Sequence, residues 1–193
     1  KIIATGSNNS ARYFNYYFKN KPRIIRQNRN SVAILTGNET PHELDGLTSD
    51  ICTYFGLGCR NVSKLYIPEH AIIGHLERSF SKFNWILSNR FYSSNLSFQK
   101  ARLGTLEVPF VEAGPVLLVE NEKLYSPIAV VHYEIYSSID AVEKQLQFDA
   151  PNIQCVVGKV DQKYLPLGQS QCPDLKAYAD NIDTMEFLSL IER

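Results

Sequence analysis

Short apolar runs alternate along this chain with stretches whose apolar residues recur every three or four positions. Runs of the first kind predict strands, and stretches of the second predict helices. Ile2 to Thr5 reads as a short buried strand, closed by Gly6-Ser7-Asn8-Asn9. Ser10 to Lys19 carries Tyr13, Phe14, Tyr17 and Phe18 on one helical stripe, which predicts a core face. Lys21-Pro22 stops that helix, and strand-like runs follow at Arg23 to Gln27 and Ser31 to Leu35. Thr40-Pro41-His42-Glu43 sets an N-cap, a first-turn Pro and a capping-box Glu in order. The helix it opens runs through Leu44, Leu47, Ile51 and Tyr54 until Gly56 and Gly58 end it.

Ser63 to Ile67 predicts a strand stopped by Pro68, and roughly Ala71 to Leu87 a helix with Leu76, Phe80, Phe83 and Leu87 inward. Residues 88–115 show scattered aromatics and no sustained period. Val116 to Glu120 and Ile128 to Tyr136 read as strands. A helix from Ile139 to Phe148 is announced by Ser137-x-x-Asp140, and Ile153 to Val157 reads as another strand. A last short helix is expected near Thr184 to Ile191, after Pro166-Leu167-Gly168 and a polar loop. Strands alternating with helices predict an α/β fold with a mostly parallel sheet flanked by helices.

Composition narrows the function classes. The 193 residues are 44% hydrophobic and 21% charged, as in an ordinary globule. Twenty basic residues balance twenty acidic ones. That balance argues against a nucleic-acid partner, which calls for a basic excess or stripe. No run of about 18 apolar residues is present, so no membrane-spanning helix is expected. The chain opens at Lys1 inside an apparent strand, as a fragment or a processed chain would.

Candidate chemistry is sparse. His42, His70, His75 and His132 are scattered without metal-ligand spacing, so no metal is expected. Phosphate-loop, full dinucleotide and nucleophile-elbow signatures are missing. The segment Tyr54-Phe55-Gly56-Leu57-Gly58-Cys59-Arg60-Asn61 stands out. It sets a thiol between a helix and a strand, beside glycines that let a ligand approach the backbone. Arg60 and Lys64 flank Cys59 in sequence and are expected to favour its thiolate, the form that attacks acyl groups. Cys52, Cys155 and Cys172 read as structural. The alternative is a non-enzymatic α/β binding or interaction domain, secreted, with Cys59 structural, two disulfides and sequons at Asn8, Asn38, Asn61 and Asn95.

Ile3-Ala4-Thr5-Gly6-Ser7, Ser31-Val32-Ala33-Ile34-Leu35 and Gly56-Leu57-Gly58-Cys59 resemble, in order and spacing, the aldehyde dehydrogenase superfamily. Ile24 to Ala33, Tyr54 to Lys64, Pro166 to Pro173 and Asp183-Thr184-Met185 look like the bacterial LuxC-type acyl-CoA reductases within it. The resemblance implies Cys59 as nucleophile, its backbone N–H as oxyanion donor, and Gly6 and Ser7 near the nicotinamide of NADPH or NADH. It implies an acyl-CoA substrate, a cytoplasmic homo-oligomer, a catalytic domain over 1–150 and a C-terminal arm over 151–193. The arm's strands around Cys155 to Val157 and Tyr164 to Leu167 are expected at the contact between copies. The dinucleotide-binding domain and a second oxyanion donor are expected upstream of Lys1. Hydrolytic members carry a water-activating Glu before a Gly-Gly-Lys stretch; Arg26-Gln27-Asn28-Arg29-Asn30 offers no carboxylate there, which fits transfer to coenzyme A instead of hydrolysis. Glu122 to Pro127 is left without a ribose-binding role.

Overall fold

The computed structural model describes residues 1–175 and 177–189. They form two compact units, one of residues 1–29 with the described residues from 173 onward, the other of residues 30–172.

In the first unit, β1 (Ile2–Thr5) pairs in parallel with β2 (Arg23–Arg26), Ile2 opposite Arg23. The connection is α1 (Asn8–Tyr17), capped by the Ser7 side chain, which accepts the Ser10 N–H. Two expectations change here. The aromatic stripe of α1 is not a core face: Tyr13 and Tyr17 are 58% and 70% exposed, and Ala11 is the buried residue. β1 alternates half-buried and exposed positions instead of being buried. A two-stranded sheet covers one side of a helix at most, so the outer rings stay wet. α6 (Thr184–Ser189) closes the unit, and Ile191, the expected end of that helix, lies outside the described residues.

The second unit is a six-stranded sheet in the order β5-β6-β7-β4-β3-β8. Its strands are β3 (Asn30–Ile34), β4 (Val62–Ile67), β5 (Val111–Ala113), β6 (Val116–Glu120), β7 (Val130–Ile135) and β8 (Ile153–Gly158). All pairings are parallel except β5 with β6. β8, within the expected arm, lies in this sheet beside β3, bridged to the following segment by Val157 and Leu165.

Both faces of the sheet are covered, as parallel strands require. On one face, α2 (Pro41–Cys52) and α3 (Ile73–Ser81) bury Leu44, Leu47, Ile51, Leu76 and Phe80 against Ala33, Leu65 and Ile67. On the other, α5 (Ile139–Asp149) packs Val142 and Leu146 on Val32, Ile34 and Tyr66. The capping box of α2 forms as expected, with Thr40 and Glu43 bonded reciprocally. The cap of α5 is Ser138, one residue later than expected, accepting the Ala141 N–H. The stretch without a visible period holds α4 (Arg90–Thr105), capped by Asn89.

Candidate functional site

Cys59 sits where α2 gives way to β4, and local backbone conformation explains how the chain turns there. α2 ends at Cys52, and Tyr54, Phe55 and Gly56 are all left-handed, with φ of 53°, 61° and 71°. For the two aromatics that conformation costs ~1–2 kcal/mol each, so the surroundings must impose it. The Phe55 ring packs 6.1 Å from that of Tyr92, whose hydroxyl donates to the Pro115 carbonyl at 3.0 Å.

The clasp of the turn is Asn61, buried and saturated. Its amide nitrogen shares its two protons among the carbonyls of Asp50, Ile51 and Thr53 at 2.9, 3.2 and 2.8 Å. Its Oδ1 accepts the Gly58 N–H at 2.8 Å. The opposite amide orientation would set oxygen against three carbonyls, so the network fixes the assignment. The Asn61 N–H closes the turn onto the Gly58 carbonyl at 3.0 Å. A glycan on Asn61, as the secreted alternative allows, is incompatible with this bonding.

Cys59 itself is exposed, and all four cysteines are free. Its N–H makes no hydrogen bond among the described residues, so the donor next to the sulfur is available. Its carbonyl accepts from the Ser31 hydroxyl at 2.9 Å. The Ser31 oxygen also touches Cys155 Sγ at 3.0 Å. Ser31 has one proton and gives it to the carbonyl, so Cys155 is the donor in that second contact. Burial pushes the Cys155 thiol up, and that of Cys52, inside α2, up to about 12.

A second belt ties the site to the loop after β8. Asp50, buried on α2, accepts the Gly168 and Ser170 N–H groups at 2.6 and 2.9 Å, and burial raises its carboxyl. Arg60 donates to the Ser170 carbonyl at 2.9 Å. A Cβ on Gly46 would lie 2.9 Å from the Leu167 carbonyl oxygen, so helix and loop meet backbone to backbone.

The expected flanking cations are rearranged. Lys64 does not attend the thiol: it is fully buried on the α5 face of the sheet, where it meets Glu134 at 2.8 Å and the Asn121 carbonyl. Strand alternation explains this, because β4 aims Lys64 and Tyr66 to one face and Leu65 and Ile67 to the other. Arg60 spends its guanidinium on the loop. Asn61, Asp50 and Ser31 were missed from sequence as site-shaping residues. An Asp on the apolar stripe beside Leu47 and Ile51 was the available signal.

Gly6 and Ser7 form the β1–α1 turn in the first unit. A Cβ on Gly6 would come within 2.7 Å of Ser10 Cβ, and the Ser7 hydroxyl caps the helix. Gly6 and Ser7 thus lie at the N-terminal end of a ten-residue helix, where backbone polarity suits an electronegative group. Among the described residues no group of three or more His, Cys, Asp or Glu side chains is placed to hold a metal, and no helix is long and apolar enough to cross a membrane.

This α/β architecture is that of aldehyde-dehydrogenase-like domains. No protein-family model and no curated protein sequence matches the chain. Solved structures do match it. Indole-3-acetaldehyde dehydrogenase complexed with NAD+ aligns over 84% of this chain and 41% of its own, with TM-score 0.60 and 13% identity. Aldehyde dehydrogenase 21 from Physcomitrella patens, with the reaction product succinate, aligns over 84% and 40%, with TM-score 0.58 and 11% identity. The Delta-pyrroline-5-carboxylate dehydrogenase from Mycobacterium tuberculosis, bound with NAD, aligns over 83% and 37%, with TM-score 0.57 and 13% identity. The chain thus spans about two fifths of the length of these structures.

Proposed function

We propose that this chain is the cysteine-bearing part of a nicotinamide-dependent reductase that converts an acyl-CoA thioester to an aldehyde. The observation that carries this reading is the exposed Cys59 sulfur beside its own unbonded N–H, in a turn fastened by Asn61. A fixed donor aimed at developing oxyanion charge is the usual source of stabilisation in acyl transfer. The Cys59 thiolate attacks the thioester carbonyl, the carbonyl oxygen gains charge beside the Cys59 N–H, and the coenzyme A thiolate leaves. The nicotinamide, when bound, supplies the hydride that reduces the acyl-enzyme. Cys59 then holds the product as a thiohemiacetal, and collapse of that species returns the thiolate and frees the aldehyde. Gly6 and Ser7 are this chain's share of the nicotinamide contact.

Two further features fit. Arg26 to Asn30 carries no carboxylate to activate water, which preserves the acyl-enzyme for reduction. β8 ends the six-stranded sheet, where Leu165 already bonds to the backbone of Val156 and Gly158, and a homo-oligomer built on the rest of that edge is part of the proposal. A cytoplasmic setting belongs to the same reading.

The test uses the full polypeptide and an acyl-CoA without nicotinamide. The expected result is release of free coenzyme A and an acyl mass increment on the Cys59 peptide, abolished in Cys59→Ala. Acylation elsewhere, or steady release of free acid, overturns the reading.

A further inference from the structure

The contact between Cys155 and the Cys59 turn has no part in the chemistry above. One hydroxyl, that of Ser31, joins the exposed cysteine's backbone to a second, half-buried thiol: it meets the Cys59 carbonyl at 2.9 Å and Cys155 Sγ at 3.0 Å. The placement follows from the sheet. Ser31 is at the start of β3, and β3 lies between β4, which Cys59 precedes by three residues, and β8, which carries Cys155. Burial opposes the Cys155 thiolate, the Ser31 hydroxyl and then Arg60 favour it, and a charge on Cys59 opposes it, so the two sulfurs share one local environment.

We propose that Cys155 is a resolving thiol for Cys59: under peroxide, Cys59 is oxidised first and is then captured by Cys155 as a reversible disulfide. The order follows from exposure. Cys59 is open to solvent, whereas Cys155 is half-buried behind Ser31. The Cys59 thiolate attacks one peroxide oxygen, the O–O bond breaks, and the departing oxygen leaves as water with a proton from solvent. Cys59 becomes a sulfenic acid. The Cys155 sulfur then attacks the Cys59 sulfur; the S–O bond breaks, and the oxygen takes the Cys155 proton and leaves as water. Overall the two thiols lose two electrons to the peroxide. Closing the S–S bond displaces the Ser31 hydroxyl from between the two residues. An external thiol reverses the step by exchange.

The other cysteines are poorer partners. Cys52 is buried within α2, and among the described residues no shared hydroxyl ties Cys172 to the Cys59 turn as Ser31 ties Cys155. Capture by Cys155 would protect the nucleophile from sulfinic and sulfonic acids, which thiols do not repair.

Peroxide titration of the full polypeptide, followed by peptide mapping without reductant, tests this independently of any turnover. The expected product is a cross-linked pair of peptides containing Cys59 and Cys155, lost completely in Cys155→Ala and Cys155→Ser and unchanged in Cys172→Ser. In both Cys155 variants the irreversibly oxidised fraction of Cys59 rises several-fold, and recovery by dithiothreitol falls to match. A cross-link to Cys172, or Cys155 variants that oxidise and recover as the wild type does, overturns the proposal. Failure of acyl transfer with the cross-link intact would leave it standing.

Discussion

The Asn61 side chain accepts the Gly58 N–H at 2.8 Å while donating to three carbonyls at the end of α2, so one residue fastens the turn on both sides of Cys59. Asn61→Ala leaves a buried N–H and up to three carbonyls unpaired, at ~1–3 kcal/mol for each group that water does not reach. Asn61→Asp retains the acceptor but sets a carboxylate against the carbonyls, and it should be at least as harmful. Thermal denaturation checks both. For a chain of this length each kcal/mol lowers Tm by ~2–4 °C. An unchanged Tm in Asn61→Ala would show that the clasp is not holding the turn.

Thiol accessibility gives a second expectation. In the native protein at neutral pH, iodoacetamide should modify Cys59 much faster than Cys155, and Cys155 faster than Cys52, whose thiol burial holds up at about 12. Time-resolved mass spectrometry reads the order. Equal slow labelling of Cys59 and Cys52 would contradict an open, nucleophilic Cys59.

Lys64 and Glu134 should respond unequally to mutation. Lys64 is fully buried, whereas the Glu134 side chain is 39% exposed. Lys64→Met removes the buried charge and leaves a carboxylate that water can reach. Glu134→Gln leaves the ammonium buried with a carbonyl and the Tyr66 ring, which costs ~3–5 kcal/mol where no other partner compensates. Glu134→Gln should therefore be the more destabilising of the two in urea unfolding. Burial already lowers the Lys64 pKa, so its folded form binds protons less readily than its unfolded form. The penalty of Glu134→Gln should accordingly shrink from neutral to alkaline pH. A penalty that grows with pH would refute this.

Acid sensitivity has a specific contributor in Glu43. The Lys159 ammonium, then the Thr40 N–H and hydroxyl, lower its carboxyl from 4.5 to about 2. A carboxyl depressed in the folded state stabilises fully above its unfolded value and loses that contribution as pH falls through its folded value. Wild type should therefore lose stability faster than Glu43→Gln between about pH 5 and 2, and the two curves should converge at the acid end. Parallel curves would show that the capping box and ion pair do not act through charge.

How much of this was legible beforehand depended on whether the determining contacts were local. The cap at Thr40 was readable because donor and acceptor lie three residues apart. α4 was not, because Phe91 and Phe98 face solvent while Gln99 is buried, so its polarity does not follow its burial. The turn between α2 and β4 that carries Cys59 was legible from its glycines. Its clasp was not, since Asn61 reads as a glycosylation triplet until the end of α2 is folded back onto it. Nearness in sequence misplaced Lys64, because a strand sends successive side chains to opposite faces.

Three glycines inside helices provide the last prediction, because the same substitution should change sign among them. In an exposed helix, Gly→Ala stabilises by ~0.5–1 kcal/mol through reduced backbone freedom. Gly74 in α3 and Gly104 in α4 have open space where a Cβ would go, so Gly74→Ala and Gly104→Ala should raise Tm. Gly46 in α2 differs. A Cβ there would meet the Leu167 carbonyl oxygen at 2.9 Å and Gly168 at 3.1 Å, backbone atoms that no side-chain rotation can move aside. Gly168 cannot retreat without disturbing its left-handed φ of +90° and the bonds from its own N–H and that of Ser170 to Asp50. Gly46→Ala should therefore lower Tm and speed hydrogen exchange at the Gly168 and Ser170 amides. It should also loosen the carbonyl on which Arg60 rests beside Cys59. If Gly46→Ala stabilises as the other two do, helix and loop are not in contact and Asp50 does not secure the site.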